Sequence, residues 1–439
     1  PKKLIKLLQN PPGIWDLPEL PEIGTPLSKT GLIAKSQNKL SDKFKTKGCF
    51  YGVNGASGLI QSALISMANP GEAVLMPRNV HISVIKACAM QNIIPVFYDL
   101  EFASDTGHYK PLTKEWLEKV FKNINFKDKK IVGVIFVRPT YQGYTSEIEP
   151  LIHLCHQKKL PVLVDEAHGA YFLFCKDLSL PKSALLSDAD LVVHSLHKSL
   201  NGLTQTAVLW YKGDLVEEDN LIKSINLLQT TSPNSLLLSS CEESIKDWLN
   251  KKSLLKYKTR IIEAKLIYKK LIQKKIPLIK SQDPLKIILH TSAVGIDGFT
   301  ADSFFYRNGL IAELPEMFTL TFCLGFARHK NFVNLFEKLW NKLLLNSKKS
   351  KNLEVYKPPF KLVETPEIEI GIAWRSKTIS IPLSKSINKI SGDIISPYPP
   401  GIPLLVPGEK INKERLDWIE NQSKFNKDLI NFNIKVLKN

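Results

Sequence analysis

The sequence predicts an α/β fold built on a mainly parallel sheet. Three observations carry this. Between Lys47 and about Trp210, short apolar runs rich in β-branched residues alternate with helical stretches. Those runs are apolar throughout rather than at every second position, as strands covered on both faces are. The chain has 439 residues, 44% of them hydrophobic and 23% charged. That suits a soluble globular protein of two or three domains.

The first 45 or so residues read as an arm, Pro-rich and then helical. Strand candidates follow at Ala73–Pro77, Ile94–Tyr98, Ile131–Val137, Leu160–His168, Ala189–Ser195 and Thr206–Tyr211. Helix candidates lie between them at Gly58–Ala68, His81–Gln91, Thr113–Lys122 and Glu147–Lys158. Such alternation calls for crossover helices and hence parallel strands. After Trp210 the pattern is mostly helical, through a long basic helix around Ile245–Lys274. A second α/β-like region offers Ile288–Ser292, Ala312–Glu316 and Thr319–Ala327 as strands. The Lys-rich stretch Asn346–Lys351 reads as a linker to a final module. In that module the prolines of Pro397–Glu409 enforce an extended, rigid loop. The expected division is an N-terminal arm (1–45), a large domain (46–260), a small α/β domain (261–345) and a C-terminal domain (346–439).

No apolar run reaches the length of a membrane span, and PKKLIKLLQNPPG at the start is too short and broken for a secretory signal. The sequence begins at Pro1 rather than Met, so a few residues are expected to precede it. Six scattered cysteines form no CxxC pair and have no zinc-ligand spacing with the histidines, which points to reduced thiols in the cytoplasm. The net charge of +18 raises nucleic acid or an anionic membrane as a partner. The lysines, however, are spread as pairs with no aromatic-interleaved stripe, so neither is expected. His153 and His156 stand three apart on a helix, but no third ligand accompanies them, and no metal is expected. His108, His290 and His329 carry no pattern.

Three segments carry chemistry. NGASG (Asn54–Gly58) precedes an apolar-periodic helix; its glycines allow a tight turn, and Ser57 stands where an N-cap would. Exposed N–H groups at a helix start bind phosphate, although an ordinary capped helix looks the same. LPVLVDEAH places Asp165 at the end of an apolar strand, where α/β folds gather ligands and where a carboxylate holds a heterocycle nitrogen protonated. His168 follows three residues on. DLVVHSLHKS (Asp190–Ser199) ends another buried strand in Ser195, His197 and Lys198. A desolvated lysine beside other cations is a nucleophilic free amine at neutral pH.

Phosphate loop, strand-end Asp and strand-end Lys, in that order, resemble a fold-type-I pyridoxal phosphate enzyme. PRNVHISVIKACAMQNIIPVF (77–97), TYQGYTSEIEPLIHLCH (140–156), VDEAHGAY (164–171), HSLHKSLNGLTQTAVL (194–209), QTTSPNSLLLSS (229–240) and YPPGIPLLVPGE (398–409) narrow this. They resemble the short form of the bacterial ornithine/lysine/arginine decarboxylase family, as does Asp16–Phe44. The resemblance is close from about residue 13 to 245, loose beyond that, and returns around Pro366–Glu409. It implies a large domain with a mainly parallel seven-stranded sheet and smaller α/β C-terminal domains.

The same resemblance implies roles. Lys198 holds pyridoxal 5′-phosphate covalently. Asp165 pairs with the ring nitrogen. His81 stacks on one ring face and Ala167 packs the other. Ala56, Ser57 and Gly58 form the phosphate loop, joined by Ser195 and His197. His168 lies near the ring oxygen or the substrate. Thr231 and Ser232 reach the phosphate of a neighbouring subunit, which implies a homodimer or higher homo-oligomer with an interface site. Two departures stand out. Ala56 replaces a hydroxyl residue frequent in that loop, and Tyr171 stands where short-form relatives often have His, a change that falls on the substrate pocket. The reaction implied is α-decarboxylation of lysine or arginine, less so ornithine, to an amine of polyamine metabolism. A protonated ring accepts the electron pair left on Cα when CO2 departs, and Lys198 or His168 returns a proton. A cationic substrate on a cationic protein needs a local acidic patch; Glu313, Glu316 and Glu409 are the candidates, Glu313 foremost. Transamination and β-elimination remain as alternatives, the first disfavoured because Arg375 does not resemble a carboxylate clamp. So does a non-catalytic regulatory homologue, which intact Lys198, Asp165 and His81 argue against.

Overall fold

A computed structural model describes residues 6, 8–17, 20–124, 130–328, 330–350, 353–396, 402–423 and 433–438. His329 and Pro397–Gly401 of the proline-rich loop lie outside the described residues.

The large domain is organised around seven strands: β1 (Gly48–Gly52), β2 (Ala73–Pro77), β3 (Ile94–Tyr98), β4 (Ile131–Val137), β5 (Val162–Asp165), β6 (Leu191–Ser195) and β7 (Ala207–Tyr211). Their order is β1-β7-β6-β5-β4-β2-β3, and a two-residue strand, Val363–Glu364, pairs antiparallel with β3 as an eighth. From β6 to β3 all neighbours are parallel, while β7 runs against both β1 and β6. Alternate residues feed two separate cores: Val162 and Val164 of β5 enter one, Leu163 the other. Both faces are therefore covered, which is why these strands are apolar throughout.

β1 is the strand that pattern reading overlooked. It is GCFYG, with a glycine at each end. At Gly52 a Cβ would come within 2.7 Å of the Leu59 side chain, so close packing excludes the β-branched residues by which strands are recognised.

The helices begin where capping chemistry places them. His81 caps the helix Ile82–Gln91 by accepting the Ser83 N–H, and Thr113 caps Lys114–Lys122 by accepting that of Trp116. The expected single basic helix around Ile245–Lys274 is two helices, Ser235–Leu249 and Lys251–Gln273. Asn250 separates them in extended backbone and turns its side chain to cap the second at Lys252 and Ser253. That second helix runs through the expected 260/261 boundary.

The small domain has a four-stranded antiparallel sheet: β8 (Leu278–Ile279), β9 (Lys286–His290), β10 (Leu314–Pro315) and β11 (Thr319–Cys323), in the order β8-β9-β11-β10. Its Ile287, Leu289, Leu320 and Phe322 belong to the same hydrophobic core as one face of the large sheet. The C-terminal segment has its own core, including Leu405, Trp418 and Val436, under a hairpin-like pair Thr378–Pro382 and Asn433–Leu437. Among the described residues no helix is long and apolar enough to cross a membrane.

Candidate active site

The carboxyl ends of the parallel strands open into a cavity of about 1170 Å³. In-register pairing of Asp165 with Val137 on one side and Val193 on the other puts the last residue of β5 at this edge. β6 continues two residues farther to Ser195, and the helical turn Leu196–Ser199 then delivers His197 and Lys198 to the same wall. Gly55, Ala56, Ser57, His81, Ala167 and His168 complete it.

Lys198 Nζ lies 3.0 Å from His168 Nε2. Desolvation lowers the pKa of its amine; the Asp165 carboxylate opposes this, while Lys286 adds to it. His168 is held far below the usual imidazole range, first by burial and then by Lys198, Lys286, His81 and His197. His81 is lowered too, by burial first, against the pull of Asp165. Its Nδ1 accepts the Ser83 N–H at 3.2 Å, which leaves the ring proton on Nε2. His197 Nδ1 donates to the Thr206 carbonyl at 3.2 Å and lies 3.1 Å from Ser195 Oγ. Burial lowers its pKa as well. Three imidazoles thus line the cavity in neutral form.

Asp165 is buried, and its Oδ1 accepts the Ala167 N–H at 3.1 Å. The adjacent Glu166 locks the strand ends behind it. Trp210 Nε1 donates to His194 Nδ1 (3.0 Å), so His194 donates from Nε2 to Glu166 (2.8 Å), and Arg138 adds a 2.7 Å bond to the same carboxylate. Such a closed buried network makes Asp165 a rigid platform.

The helix after β1 spans Gly55–Met67, starting three residues earlier than expected, with Asn54 rather than a serine at its cap. Ser57 is therefore in the first turn, where Ala56 and Ser57 N–H groups have no intrahelical acceptor. Gly55 has φ +68°, and a Cβ there would stand in open space on the cavity wall. Gly58 corrects the expectation in another way. It is not on the wall: its N–H bonds to Asn54 O at 3.3 Å, and its bare Cα lets Asn54 and the Gln229 amide close in. The bare cradle at Gly55, a carboxylate platform, an amine of lowered pKa and neutral imidazoles together fit pyridoxal phosphate. Ala56, Ser57, Ser195 and His197 would hold its phosphate, Asp165 its ring nitrogen and Lys198 its aldehyde carbon, with His81 and Ala167 on the ring faces.

Of the other expected residues, only Glu316 is on the cavity wall. Thr231 and Ser232 are exposed in the loop before Ser235–Leu249. Glu313 lies nearby: Tyr141 Oη donates to it at 3.3 Å, and its charge acts on Lys198. Glu316 lines the cavity but is held by His108 (3.1 Å), Gln142 (2.9 Å) and Thr319 (3.2 Å). Burial works against its charge, yet these partners keep its carboxyl below the ordinary range. Glu409 is a correction. It is 1% exposed and committed to Arg78 at 2.8 Å and Arg415 at 3.1 Å, so it is not available to a substrate. Tyr171 also differs from its expected place: it is fully buried, donates to Asp283 at 2.5 Å and is not on the cavity wall. Arg375 spends its guanidinium on the carbonyls of Gly371, Ala89 and Met90. His156 Nε2 pairs with Asp190 at 2.7 Å, and no group of three or more His, Cys, Asp and Glu suited to a metal occurs among the described residues.

Sequence reasoning missed Tyr141, Asn79 and Lys286. Tyr141 lies on the wall with its ring 4.6 Å from that of His168. Asn79 lines the cavity with a buried, unpartnered Oδ1. Lys286 is buried at the start of β9, and its signal was a lone charge opening an apolar strand.

Compared with known proteins, residues 15–281 match the Orn/Lys/Arg decarboxylase major domain and residues 350–436 the C-terminal domain of the same family. The arginine decarboxylase of Halalkalibacterium halodurans is 29% identical over 410 residues, 90% of this chain and 82% of that protein. The arginine decarboxylase of Bacillus subtilis is 27% identical over 416 residues, 89% and 81% of the two chains. Among solved structures, lysine decarboxylase A of Pseudomonas aeruginosa superposes with a TM-score of 0.80 at 16% identity, over 99% of this chain and 76% of that one. The constitutive lysine decarboxylase of E. coli gives 0.78 at 17%, over 95% and 74%. The chain belongs to the Orn/Lys/Arg decarboxylase family, and with it to the pyridoxal-phosphate-dependent amino-acid decarboxylases.

Proposed function

We propose that the chain decarboxylates a basic amino acid, arginine or lysine before ornithine, at a site built on Lys198 and Asp165. The observation that carries this is the convergence of both residues, with three neutral imidazoles, on one cavity wall at the strand ends. Pyridoxal phosphate, when bound, supplies the electron sink that makes loss of CO2 from Cα feasible.

The chain's own residues do the rest. Lys198 presents an amine of lowered pKa, poised to attack a carbonyl carbon. Asp165, rigid and buried, keeps a proton on a ring nitrogen. His168, 3.0 Å from Lys198, is placed to pass a proton to and from that amine. Tyr141 covers His168 and limits water. Glu313, which accepts a hydrogen bond from the Tyr141 hydroxyl at 3.3 Å, is the carboxylate best placed to receive the cationic end of the substrate. Support for arginine comes from the Bacillus and Halalkalibacterium relatives, and for lysine from the structural neighbours. The exposed Thr231 and Ser232 suit a contact with a second copy of the chain, which makes a homodimer part of the proposal. Formation of a polyamine precursor and a cytoplasmic location belong to the same reading.

The test is direct. Purified protein supplied with pyridoxal phosphate is offered arginine, lysine and ornithine, and CO2 and amine products are identified. Agmatine or cadaverine supports the reading; a keto acid in place of CO2 refutes it.

A further inference from the structure

The loop Thr140–Thr145 follows β4 and crosses to the small domain. Tyr141 Oη donates to Glu313 at 3.3 Å, and Gln142 Nε2 to Glu316 at 2.9 Å. The Gly143 carbonyl accepts the Asp283 N–H at 3.1 Å, and the Thr145 N–H donates to Gln282 Oε1 at 3.1 Å. Tyr144 Oη lies 2.9 Å from His108 Nδ1, and Nε2 of that ring lies 2.9 Å from Thr319 Oγ1. Each residue from 141 to 145 is therefore tied to the small domain, Tyr144 through His108. At one end of the loop the Tyr141 ring lies 4.6 Å from the ring of His168, and its centroid is 6.0 Å from Lys198 Nζ.

Gly143 is what lets the two surfaces meet. Its φ is +93°, a backbone conformation open to glycine and strained for residues with a side chain. A Cβ there would also stand 2.8 Å from Lys286 Cγ, 2.9 Å from Asp283 Cβ and 2.9 Å from Ser281 Oγ. The first two of those atoms lie close to their own backbone, so the turn between β8 and β9 would have to withdraw. Gly143 is buried and is not on the cavity wall, so it acts on the site only through its neighbours.

We propose that the small domain positions the Tyr141 ring against His168 through this loop, and that Gly143 is the positioning residue on which the 281–286 turn seats. A loop fixed only at its two ends leaves an aromatic side chain free to swing. Bonds across to a second packed body remove that freedom before substrate arrives, so its entropic cost does not fall on the reaction.

This rests on Lys198 and His168 being the reacting pair, and the experiment separates the two. Full-length protein loaded with pyridoxal phosphate is prepared as wild type, Gly143→Ala, Tyr141→Ala and the double variant. Amide hydrogen exchange is measured across 140–145 and at Asp283, and kcat on the basic amino acid that the wild type turns over. Gly143→Ala should speed that exchange by about tenfold or more and lower kcat by up to about 100-fold, the scale of a misplacement of about 1 Å. In the Tyr141→Ala background the same substitution should lower kcat by less than about twofold, because the ring it positions is gone. Losses that multiply in the double variant overturn the role, since a general loosening of the fold acts whether or not the ring is present. Unchanged exchange in Gly143→Ala overturns it as well. Where Gly143→Ala fails to fold, Tyr144→Phe takes its place. That variant keeps the ring, gives up the hydroxyl contact with His108, and should lower kcat by about two- to tenfold, again only while Tyr141 is present. Wild-type protein that releases CO2 from no basic amino acid overturns the reading of the reaction instead, and the exchange result then decides by itself whether the small domain holds the loop.

Discussion

Glu409→Gln separates a structural glutamate from a substrate-binding one. The carboxylate joins the C-terminal segment to the large domain through Arg78, whose guanidinium is stacked between Phe97 (4.6 Å) and Phe360 (4.2 Å). Arg78 Nε and Nη1 are buried and unpartnered; its Nη2 has the Leu404 carbonyl at 3.2 Å besides Glu409. Gln keeps the shape and an oxygen to accept the Val406 N–H, so the variant removes the charge and turns an amide N–H2 toward Arg415. Breaking a buried pair from one side costs about 3–5 kcal/mol. The value here should fall near 3. Glu364 already pairs with Arg415 at 2.9 Å, and burial together with the charge of Glu409 is part of what raises its pKa. With Glu409 neutral, Glu364 ionises more readily and compensates Arg415 directly, and Arg78 only through its charge, without a hydrogen bond. Hydrogen–deuterium exchange around Val406 and Trp418 measures the local opening free energy. The exposed pair Lys110–Glu101 serves as the control, since Glu101→Gln should cost under about 1 kcal/mol. A Glu409→Gln penalty as small as that control, accompanied by a raised KM for the amino acid, would refute the structural assignment and return Glu409 to the substrate site.

Lys198→Ala should abolish decarboxylation and leave no borohydride-fixed cofactor; residual turnover near the wild-type rate sinks the proposed site. Asp165→Asn keeps the Ala167 contact in size but not the charge, and should lower kcat/KM by roughly 100-fold or more, a loss of about 2.7 kcal/mol at the transition state; a change under tenfold argues against a ring-nitrogen partner. Glu313→Gln should raise KM for the basic amino acid several-fold while cofactor affinity stays constant, and equal kinetics remove it from the site. Without cofactor, stability should fall as pH drops below about 6.5. Half-buried His168, its pKa held well below the usual imidazole range, stays neutral in the folded chain while the unfolded chain gains a proton, so stability rises with pH by at most about 1.4 kcal/mol per unit for that residue. Urea titrations of His168→Gln should show a shallower slope between pH 5 and 6.5; an unaltered slope contradicts its neutral state.

What the sequence made legible is what short-range patterning encodes. The parallel strands were visible because each must be apolar on both faces, and Asp165, Ser195 and Lys198 because each follows such a run directly. Capping residues Thr113 and His81 mark helix starts within one residue. β1 was hidden because Gly52 must pass Leu59 without a side chain, and that constraint is invisible until the helix is in place. The break at Asn250 was hidden for a related reason: periodicity survives across a single capping residue. Glu409 illustrates the deeper limit. A glutamate looks the same in sequence whether it meets a substrate or two arginines, 331 residues away in the case of Arg78 and six in that of Arg415. Lys286 and Tyr141 belong to the same class, since their meaning lies in tertiary neighbours.

The charge balance of the cavity follows from these contacts. In the proposed site, a chain of net charge +18 has to receive a cationic substrate beside Lys198. Were His81, His168 and His197 protonated, the wall would carry three more charges and repel it. Burial keeps all three neutral. Of the carboxylates nearby, Asp165 is the one proposed for the ring nitrogen, and Glu316 is engaged by His108, Gln142 and Thr319. Glu313, held only loosely by a 3.3 Å bond from Tyr141, remains to meet a guanidinium or ammonium. Tyr141 therefore packs against His168 on one side and donates to Glu313, the carboxylate proposed for the substrate's cationic end, on the other. Its replacement by Phe, which keeps the ring but frees Glu313, should strengthen substrate binding slightly or leave it unchanged, whereas Tyr141→Ala should harm both binding and proton transfer. Equal losses in the two variants would show that the hydroxyl, and not the ring, is what the site uses.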